Sequence, residues 1–196
     1  MKINIPVADE LPPERTVNHK SHIAKVVFLC AQARPRQLPN NQWWDGKIGI
    51  WPVGCCRAAK RDSCNGPKGT GLFESEFVDV DEFRDMLTGL VLPAILNEFR
   101  TAECNRFDEI IIQQDSAPAH MCPRDHKWMQ MLTDMGLEEK TKLATQPANS
   151  PDLNMNDLGF FNALQSMCCC TTPRNEVGLI EMVEQTHRDC PLNKIN

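Results

Sequence analysis

Two aspartates, far apart along the chain, have surroundings that suit metal chemistry. Asp115 follows the apolar part of EIIIQQDSAPAH at residues 109–120, where three consecutive isoleucines predict a buried strand, at residues 109–114, in the interior of the sheet. Open α/β sheets bind their ligands at the carboxyl ends of such strands. Asp157 lies in PANSPDLNMNDLGFFNALQS, where a turn rich in proline, asparagine and serine opens an amphipathic helix. An acid at a strand end and an acid on the first turn of a later helix can converge on one metal ion.

Each of these residues also has an ordinary structural interpretation. Asp115 could form an Asx turn after its strand, and Asp157 could close a capping box with Asn154 at the helix start. His120 suits a structural or DNA-facing position better than a ligand position, because an acidic site for a hard cation prefers oxygen donors. The residues alone leave the catalytic and the structural interpretations open.

The elements predicted in the first half of the chain are mostly strands. Residues 22–33 predict a strand and residues 47–53 a shorter one, and antiparallel pairing of the two is the economical arrangement. Residues 2–7 predict an edge strand, since Pro6 cannot donate to a ladder on both sides. Residues 54–71 are rich in glycine, serine and basic side chains and predict a surface loop.

Helices dominate the rest of the predicted order. Residues 80–99 carry apolar side chains at helical spacing, with Asp79 or Asp81 as the N-cap and Pro93 as the cause of a kink. Further predicted elements are helices at residues 123–135, 156–167 and 175–186 and a short strand at 142–145. Strands and helices that mix in this way indicate the α/β class.

Length and composition indicate one ordinary globular domain. The chain has 196 residues, of which 41% are hydrophobic and 24% charged. No apolar run approaches the roughly 20 residues that span a bilayer, and the start of the chain lacks the apolar core of a signal peptide. We therefore expect an intracellular protein without a membrane span.

The ten cysteines do not form a recognisable framework. None of them belongs to a CxxC pair, and a chain of this length does not need a disulfide scaffold to fold. A zinc site built from residues 168–170, His187 and Cys190 is conceivable, but the spacing fits no common zinc finger. Reduced, free thiols are the expectation.

The charge of the chain limits how it can meet nucleic acid. A formal net charge of −5 argues against a broad basic surface, which is what drives nonspecific DNA binding. The basic residues within 54–71 could contact phosphate locally or could simply be solvated. Any DNA binding is expected to be weak or local.

Two motifs, QQDSAPAH and QPANSPDLNMNDLGFF, together resemble the catalytic domain of mariner-type DDE/DDD transposases. That family carries a strand ending in Q/H-D-N-A-P-x-H, and then S-P-D-L-N-x-x-D/E at the start of a helix with aromatic residues. KVVFLCAQARPR and DGKIGIWP lie upstream, where similar transposases carry related strands. The resemblance covers residues 15–166.

The resemblance implies an RNase H-like fold, in which a mixed sheet is flanked by helices. Three carboxylates there hold two Mg²⁺ or Mn²⁺ ions, which support DNA phosphodiester hydrolysis and strand transfer by in-line attack. By this resemblance Asp115 matches the second catalytic metal ligand and Asp157 the third, whereas Asp152 matches a position that is not a ligand. The implied partner is DNA at transposon ends, in the nucleus of a eukaryote, with a homodimer as a further possibility.

The chain departs from the family pattern at its start. We find no counterpart of the first catalytic acid, because KINIPVADELPPERT resembles the segment that follows the strand carrying that acid. The sheet is therefore expected to lack its first central strand. No helix-turn-helix region for transposon ends is recognisable, and Ser116 stands where the family has asparagine. We divide the chain into an N-terminal segment at residues 1–14, a truncated transposase-like domain at 15–170, and a C-terminal helix and tail at 171–196.

Three functional hypotheses follow. The leading one is a transposase-derived domain whose ancestral role was metal-dependent DNA cleavage and joining, with that activity lost in this chain. The second is a non-catalytic transposon remnant that acts as a nucleic-acid-associated or interaction protein. The third is a minimal metal nuclease in which Asp45 or another acid replaces the missing one, although the Asp-Gly pair at Asp45 predicts a turn and not a strand position.

Overall fold

The computed structural model describes residues 25–38, 41–63, 66–76, 78–101, 109–147, 150–154, 156–168, 173 and 175–190. For residues 99–101, 151, 157 and 158 the description covers the backbone alone. The edge strand predicted at residues 2–7 lies outside the described residues.

Strands and helices mix along the described chain, as the sequence predicted. The strands are β1 (Val27–Gln32), β2 (Arg36–Gln37), β3 (Trp43–Trp44), β4 (Lys47–Ala58), β5 (Gly71–Ser75), β6 (Ile110–Gln114) and β7 (Thr141–Thr145). The α-helices are α1 (Val80–Met86), α2 (Leu92–Thr101), α3 (His126–Asp134), α4 (Phe161–Cys168) and α5 (Glu176–Asp189). Single helical turns of other types lie at Leu87–Val91 and Asn156–Phe160, which are π-helical, and at Pro151–Leu153, which is 3₁₀. The fold belongs to the α/β class.

The first sheet contains three strands in the order β1-β4-β5. β1 and β4 are antiparallel, with Val27 opposite Val53 and Cys30 opposite Ile50, which confirms the predicted pairing. The register shifts between Ala31 and Gln32, where a bulge ends the regular ladder. Within the segment that joins the two strands, β2 and β3 form a small antiparallel ladder.

The prediction of a loop at residues 54–71 is wrong at both ends of this range, because both ends are in strands. β4 continues to Ala58, and Gly54 to Ala58 pair with β5 in an antiparallel hairpin. Gly54 permits this pairing because its φ is +146° and a Cβ at this position would lie 2.2 Å from the Glu74 carbonyl oxygen. Arg57 reaches across to Glu74 at 3.1 Å, and this cross-strand ion pair is solvent-exposed, since the Arg57 side chain is 59% exposed.

The second sheet is the parallel pair β6 and β7, with Ile110 opposite Thr141 and Gln114 opposite Thr145. α3 connects the two strands, because parallel neighbours need a crossover. The sequence predicted β6 to be an interior strand, and this is wrong for the described residues, in which β6 pairs with β7 alone. Ile111 is 60% exposed, since it alternates with Ile110 and Ile112 and lies on the opposite face of β6 from the main cluster.

The long helix predicted at residues 80–99 is present but interrupted. Asp79 is its N-cap, as predicted, and its carboxylate accepts the Glu82 backbone N–H at 2.8 Å. A π-helical turn at Leu87–Val91 ends just before Pro93, which lacks the N–H that regular α-helical bonding needs. The helix still presents one apolar stripe to the main core, which it shares with Ile110 of β6.

Two apolar clusters hold the elements together. The main cluster joins the helices α1 to α3 to the second sheet through Trp128 and Leu132, which are fully buried. The other joins α4 and α5 to the first sheet, with Ile50, Phe160 and Val183 among its members. None of the helices in the described ranges is both long and apolar enough to cross a membrane.

Candidate functional site

A groove of about 790 Å³ separates the two sheets. Consecutive residues of both strands line it, 28–32 from β1 and 110–114 from β6, so its walls are strand edges and not sheet faces. Its floor includes Phe83 and Leu87 from the long helix. We call this space the β1–β6 groove. Asp115 lies at its rim, at the carboxyl end of β6, where the sequence predicted a site.

The carboxylate of Asp115 is half exposed and already has two protein partners. Its Oδ1 accepts the backbone N–H of Ala117 at 2.8 Å, which is the Asx turn left open by the sequence. His120 Nδ1 lies 2.7 Å from the same oxygen. The side chain of Asp115 is 45% exposed, so a ligand can still approach it from the groove.

His120 contacts both Asp115 and the helix α1, and it holds Asp115 in place. Its ring stacks on Phe83 of α1 with 4.3 Å between ring centroids, and its Nδ1 also lies 3.1 Å from the Asp115 carbonyl oxygen. Phe83 is 5% exposed, which makes this support rigid. The imidazole therefore positions the acid, in keeping with the structural role that the sequence favoured.

The second motif packs directly against the strand that presents Asp115. Gln113 Nε2 donates to the Leu153 carbonyl oxygen at 2.9 Å, which ties the SPDLN turn to β6. Gln146 follows β7, and its side-chain amide donates to the Ser150 carbonyl oxygen at the start of the same turn. Ser116 completes the link, since its Oγ donates to the Gln146 carbonyl oxygen at 3.0 Å.

These glutamines position the SPDLN turn beside β6, a role that sequence reasoning missed. They sit at the ends of the two parallel strands, where an amide can bridge strand and turn. A glutamine at or just after the end of each predicted strand was the available signal, because polar side chains at strand ends meet at one sheet edge. Asn154 and Asn156, from the second motif, line the groove beside Asp115.

Asp157 lies in the π-helical turn Asn156–Phe160, at the start of the helix predicted for residues 156–167. Its side chain is outside the described part of the structure, so convergence of its carboxylate with Asp115 stays a prediction. Asn154 Oδ1 accepts the backbone N–H of Asn156 at 3.1 Å, and this local turn starts the helix. The backbone that carries Asp157 thus follows immediately on residues that line the β1–β6 groove.

The side chains that the structure describes do not by themselves provide the ligands for a centre of two metal ions. Among the side chains that the structure describes, no three from histidine, cysteine, aspartate and glutamate group closely enough to hold a metal ion. Glu109 also lines the groove, but it lies at the opposite end of β6 from Asp115 and pairs with Lys142. Asp115 is therefore the described carboxylate that could bind a hard cation at the strand ends.

Asp45, the candidate substitute for the missing acid, is engaged elsewhere. Its Oδ2 lies 3.2 Å from Lys47 Nζ, and its Oδ1 accepts the Lys47 backbone N–H at 3.1 Å. Lys47 in turn donates to the carbonyl oxygen of Cys190 at 2.7 Å, at the end of α5. These contacts give Asp45 a structural role at the turn before β4, consistent with the Asp-Gly turn that the sequence predicted.

The described members of the candidate zinc set, Cys168, His187 and Cys190, lie in or against the second apolar cluster. His187 is 6% exposed, and its ring packs edge-on against Phe160 at 5.8 Å. Burial lowers the pKa of His187 to about 4, so the ring is neutral at pH 7. Cys190 is buried in the same cluster, and the Cys168 thiol lies 3.5 Å from Thr186 Oγ1.

No family model, curated protein or solved structure matches the chain. Function is therefore inferred from the residues and their geometry.

Proposed function

We propose that this chain is a transposase-derived domain with an RNase H-like fold, whose ancestral role was metal-dependent DNA phosphodiester cleavage and strand transfer. We further propose that the chain no longer cleaves DNA. The observation that carries the proposal is the docking of the SPDLN turn on β6 through Gln113 and Leu153, beside the strand end that presents Asp115. Two motifs that are distant in sequence meet where the resemblance expects a shared site.

The arrangement of the strands supports the fold assignment. An antiparallel trio, β5-β4-β1, and a parallel pair, β6-β7, lie on the two sides of the β1–β6 groove. The family sheet is expected to have its first strand at the centre, and here the centre is the groove. A sheet of this kind without that strand would also lack the carboxylate that the strand carries.

Metal binding is proposed for Asp115 together with Asp157. Carboxylate oxygens suit Mg²⁺ and Mn²⁺, and Asp115 is exposed enough to coordinate one. An ion bound there would polarise a phosphate oxygen as a Lewis acid. His120 and the Ala117 N–H fix one carboxylate oxygen of Asp115 and so orient the other for a ligand. Without the first acid, a second ion lacks a carboxylate ligand. A single ion cannot stabilise both the attacking and the leaving oxygen of an in-line displacement.

A plasmid-nicking and strand-transfer assay with Mn²⁺ tests the loss of activity. The expected result is no metal-dependent nicking above buffer by the full chain, with circular dichroism confirming that the sample is folded and a known nuclease confirming that the substrate is competent.

The informative variants are Asp115→Asn and Asp157→Asn, with Asp152→Asn as the matched control, because Asp152 is an exposed aspartate in the turn just before Asp157. Nicking that both site variants abolish and the control retains would overturn the proposal. It would mean that another acid completes the site.

A further inference from the structure

Two strand edges border the β1–β6 groove. β1 pairs with β4 and β6 pairs with β7, and no other strand among the described residues pairs with either of them. At a strand spacing of ~4.8 Å, a sheet thickness of ~10 Å and a rise of ~3.3 Å, each strand residue takes up roughly 160 Å³. A groove of about 790 Å³ therefore has room for about five residues of an extended chain.

The edge of β1 directs backbone groups into the groove. The Cys30 carbonyl oxygen accepts the side-chain amide of Asn156 at 3.3 Å, and Asn156 lines the groove, so this carbonyl points away from β4. Residues two apart along a strand direct their backbone groups to the same side. The N–H and the carbonyl of Phe28 therefore point to the groove as well.

The edge of β6 also directs backbone groups into the groove. The Ile110 N–H and the Gln114 carbonyl oxygen bond to the backbone on the β7 side, at residues 140 and 146. The backbone groups of Ile111 and Gln113 alternate with these and point to the groove. A ligand that lies between β1 and β6 thus meets donors and acceptors along both of its sides.

Side-chain amides add polar groups to satisfy at the same place. Gln114 is buried, and its side-chain oxygen has no hydrogen-bond partner among the described residues. The Oδ1 of Asn156 and both amide atoms of Gln32 are likewise buried without a described partner, and all three residues line the groove. Buried polar groups without partners cost free energy, so an occupant that supplies N–H and carbonyl groups is favoured.

The floor of the groove selects apolar side chains. Four core residues of the long helix line it and recur at every fourth position, so they form one helical stripe. They are Phe83, Leu87, Val91 and Ile95. A strand that lies across this stripe needs an apolar side chain at every second position, facing the helix.

A strand of a folded second copy does not fit between the two edges. Such a strand is already bonded along at least one of its sides, so it can pair with β1 or with β6 but not with both. The occupant that satisfies both edges is an extended segment that is unpaired before it binds, which is the general mode of β-strand addition.

The rim of the groove adds a preference in charge. Arg34 and Arg36 follow β1, are exposed, and line the groove. A carboxylate at the end of an inserted segment is complementary to these guanidinium groups.

We propose that the β1–β6 groove binds an extended peptide segment of a partner protein, which pairs with β1 and β6 at once and joins the two sheets. The segment occupies the groove with about five residues and carries apolar side chains at alternate positions. An acidic residue lies at the end that meets Arg34 and Arg36. The proposal needs neither a metal ion nor Asp115, so it does not rest on the proposed function.

Peptide binding to the full chain, followed by hydrogen exchange, tests the proposal. The probes are the acetylated and amidated peptides VTITVE and EVTITV, which carry the acid at either end because the strand can run in either direction. We expect one of them to bind in the presence of EDTA and to slow exchange at the amides that face the groove by about tenfold or more. These amides belong to Phe28, Cys30, Ile111 and Gln113. The control peptide TVIVTE has the same composition but never places three apolar side chains on one face, and it should bind about tenfold more weakly.

A charge exchange at the rim tests the place of the acidic residue. Arg34→Glu should weaken binding of the acidic peptide about fivefold, which is the scale of one exposed ion pair. The same peptide with lysine in place of glutamate should bind this variant more tightly than it binds the wild type. Arg124→Glu is the matched control, because Arg124 is exposed in the turn before α3 and lies outside the lining of the groove.

Three results would overturn the proposal. One is that the alternating peptides do not bind, or bind no better than the control peptide. Another is slow exchange of the four edge amides in the chain without peptide at every protein concentration, which would assign the groove to the chain itself. The third is slow exchange that is lost when the protein without peptide is diluted, which would assign the groove to a second copy. Peptide binding in EDTA is measured apart from Mn²⁺ binding, so failure of one proposal leaves the other standing.

Discussion

The candidate acid Asp115 is held in position by contacts with other protein groups, because the described side chains around it do not form a set of metal ligands. Asp115 takes its position from the Ala117 N–H and from His120, and His120 takes its own position from the stacked ring of Phe83. The sequence placed Asp115 correctly at a strand end because three isoleucines define the strand. It could not show that the His120 ring would turn back onto the same carboxylate, since that depends on the long helix packing beneath both residues.

His187 makes a prediction for the pH dependence of folding. Burial lowers the pKa of this histidine in the folded protein from 6.5 to about 4. The unfolded chain therefore binds a proton first as the pH falls, and stability is lost between pH 6.5 and pH 4. The expected loss is about 2 kcal/mol in the free energy of unfolding between pH 7.5 and pH 5.

Urea denaturation at these two pH values measures the effect in the wild type and in His187→Leu. The variant should lose most of the pH dependence because leucine cannot be protonated. His126→Leu is the control, since this histidine is exposed at the start of α3 and the variant should keep the dependence. If the free energy of unfolding falls by the same amount between the two pH values in all three proteins, the assignment to His187 is contradicted.

At the scale of elements, periodicity predicted most of what the structure contains. The stripe in residues 80–99, the strand at Ile110–Gln114 and the helix after Asn175 are all present, because each has a buried face with a clear repeat. The hairpin of β4 and β5 was missed because Gly54 to Ala58 alternate poorly and resemble a basic loop. Their strand conformation comes from pairing with β5, which a local pattern does not report.

The hairpin makes a prediction about two glycines. Gly54→Ala should lower the free energy of unfolding by about 2–4 kcal/mol, because its φ of +146° suits only glycine and the new Cβ would meet the Glu74 carbonyl oxygen at 2.2 Å. Gly71→Ala is the matched control at the other strand of the same hairpin, where a Cβ meets nothing within 4 Å. Chemical denaturation of both variants decides the matter. Equal destabilisation by the two would refute the steric explanation.

At the scale of the whole molecule, the two sheets meet edge to edge across the β1–β6 groove, and the chain is acidic, with a formal net charge of −5. Arg57 pairs with Glu74 and Glu76, and the largely buried Arg84 pairs with Asp125. The Arg57 pairs engage one of the basic side chains in residues 54–71 that the sequence alone left available for phosphate. The sequence predicted the α/β class and the strand end that carries Asp115, but the groove depends on strand pairings between residues far apart in the chain.

The net negative charge predicts weak DNA binding. Titration of duplex DNA by fluorescence anisotropy should give a dissociation constant of about 10 µM or weaker at ~150 mM salt, and the affinity should rise steeply as salt is lowered. Arg34→Gln combined with Arg36→Gln should reduce the salt dependence, because both arginines line the rim of the β1–β6 groove. Submicromolar, sequence-specific binding would reveal a recognition element that neither the sequence nor the structure indicates.

The central claim is that Asp115 and Asp157 share one divalent ion, and Mn²⁺ titration by calorimetry or electron paramagnetic resonance tests it most directly. We predict one ion per chain, bound with a dissociation constant of about 10⁻⁴–10⁻³ M because two carboxylates and water form a weak site. Asp115→Asn and Asp157→Asn should each weaken binding about tenfold or more, and Asp152→Asn should leave it unchanged. Two bound ions, or site variants that bind Mn²⁺ as the wild type does, would contradict the account.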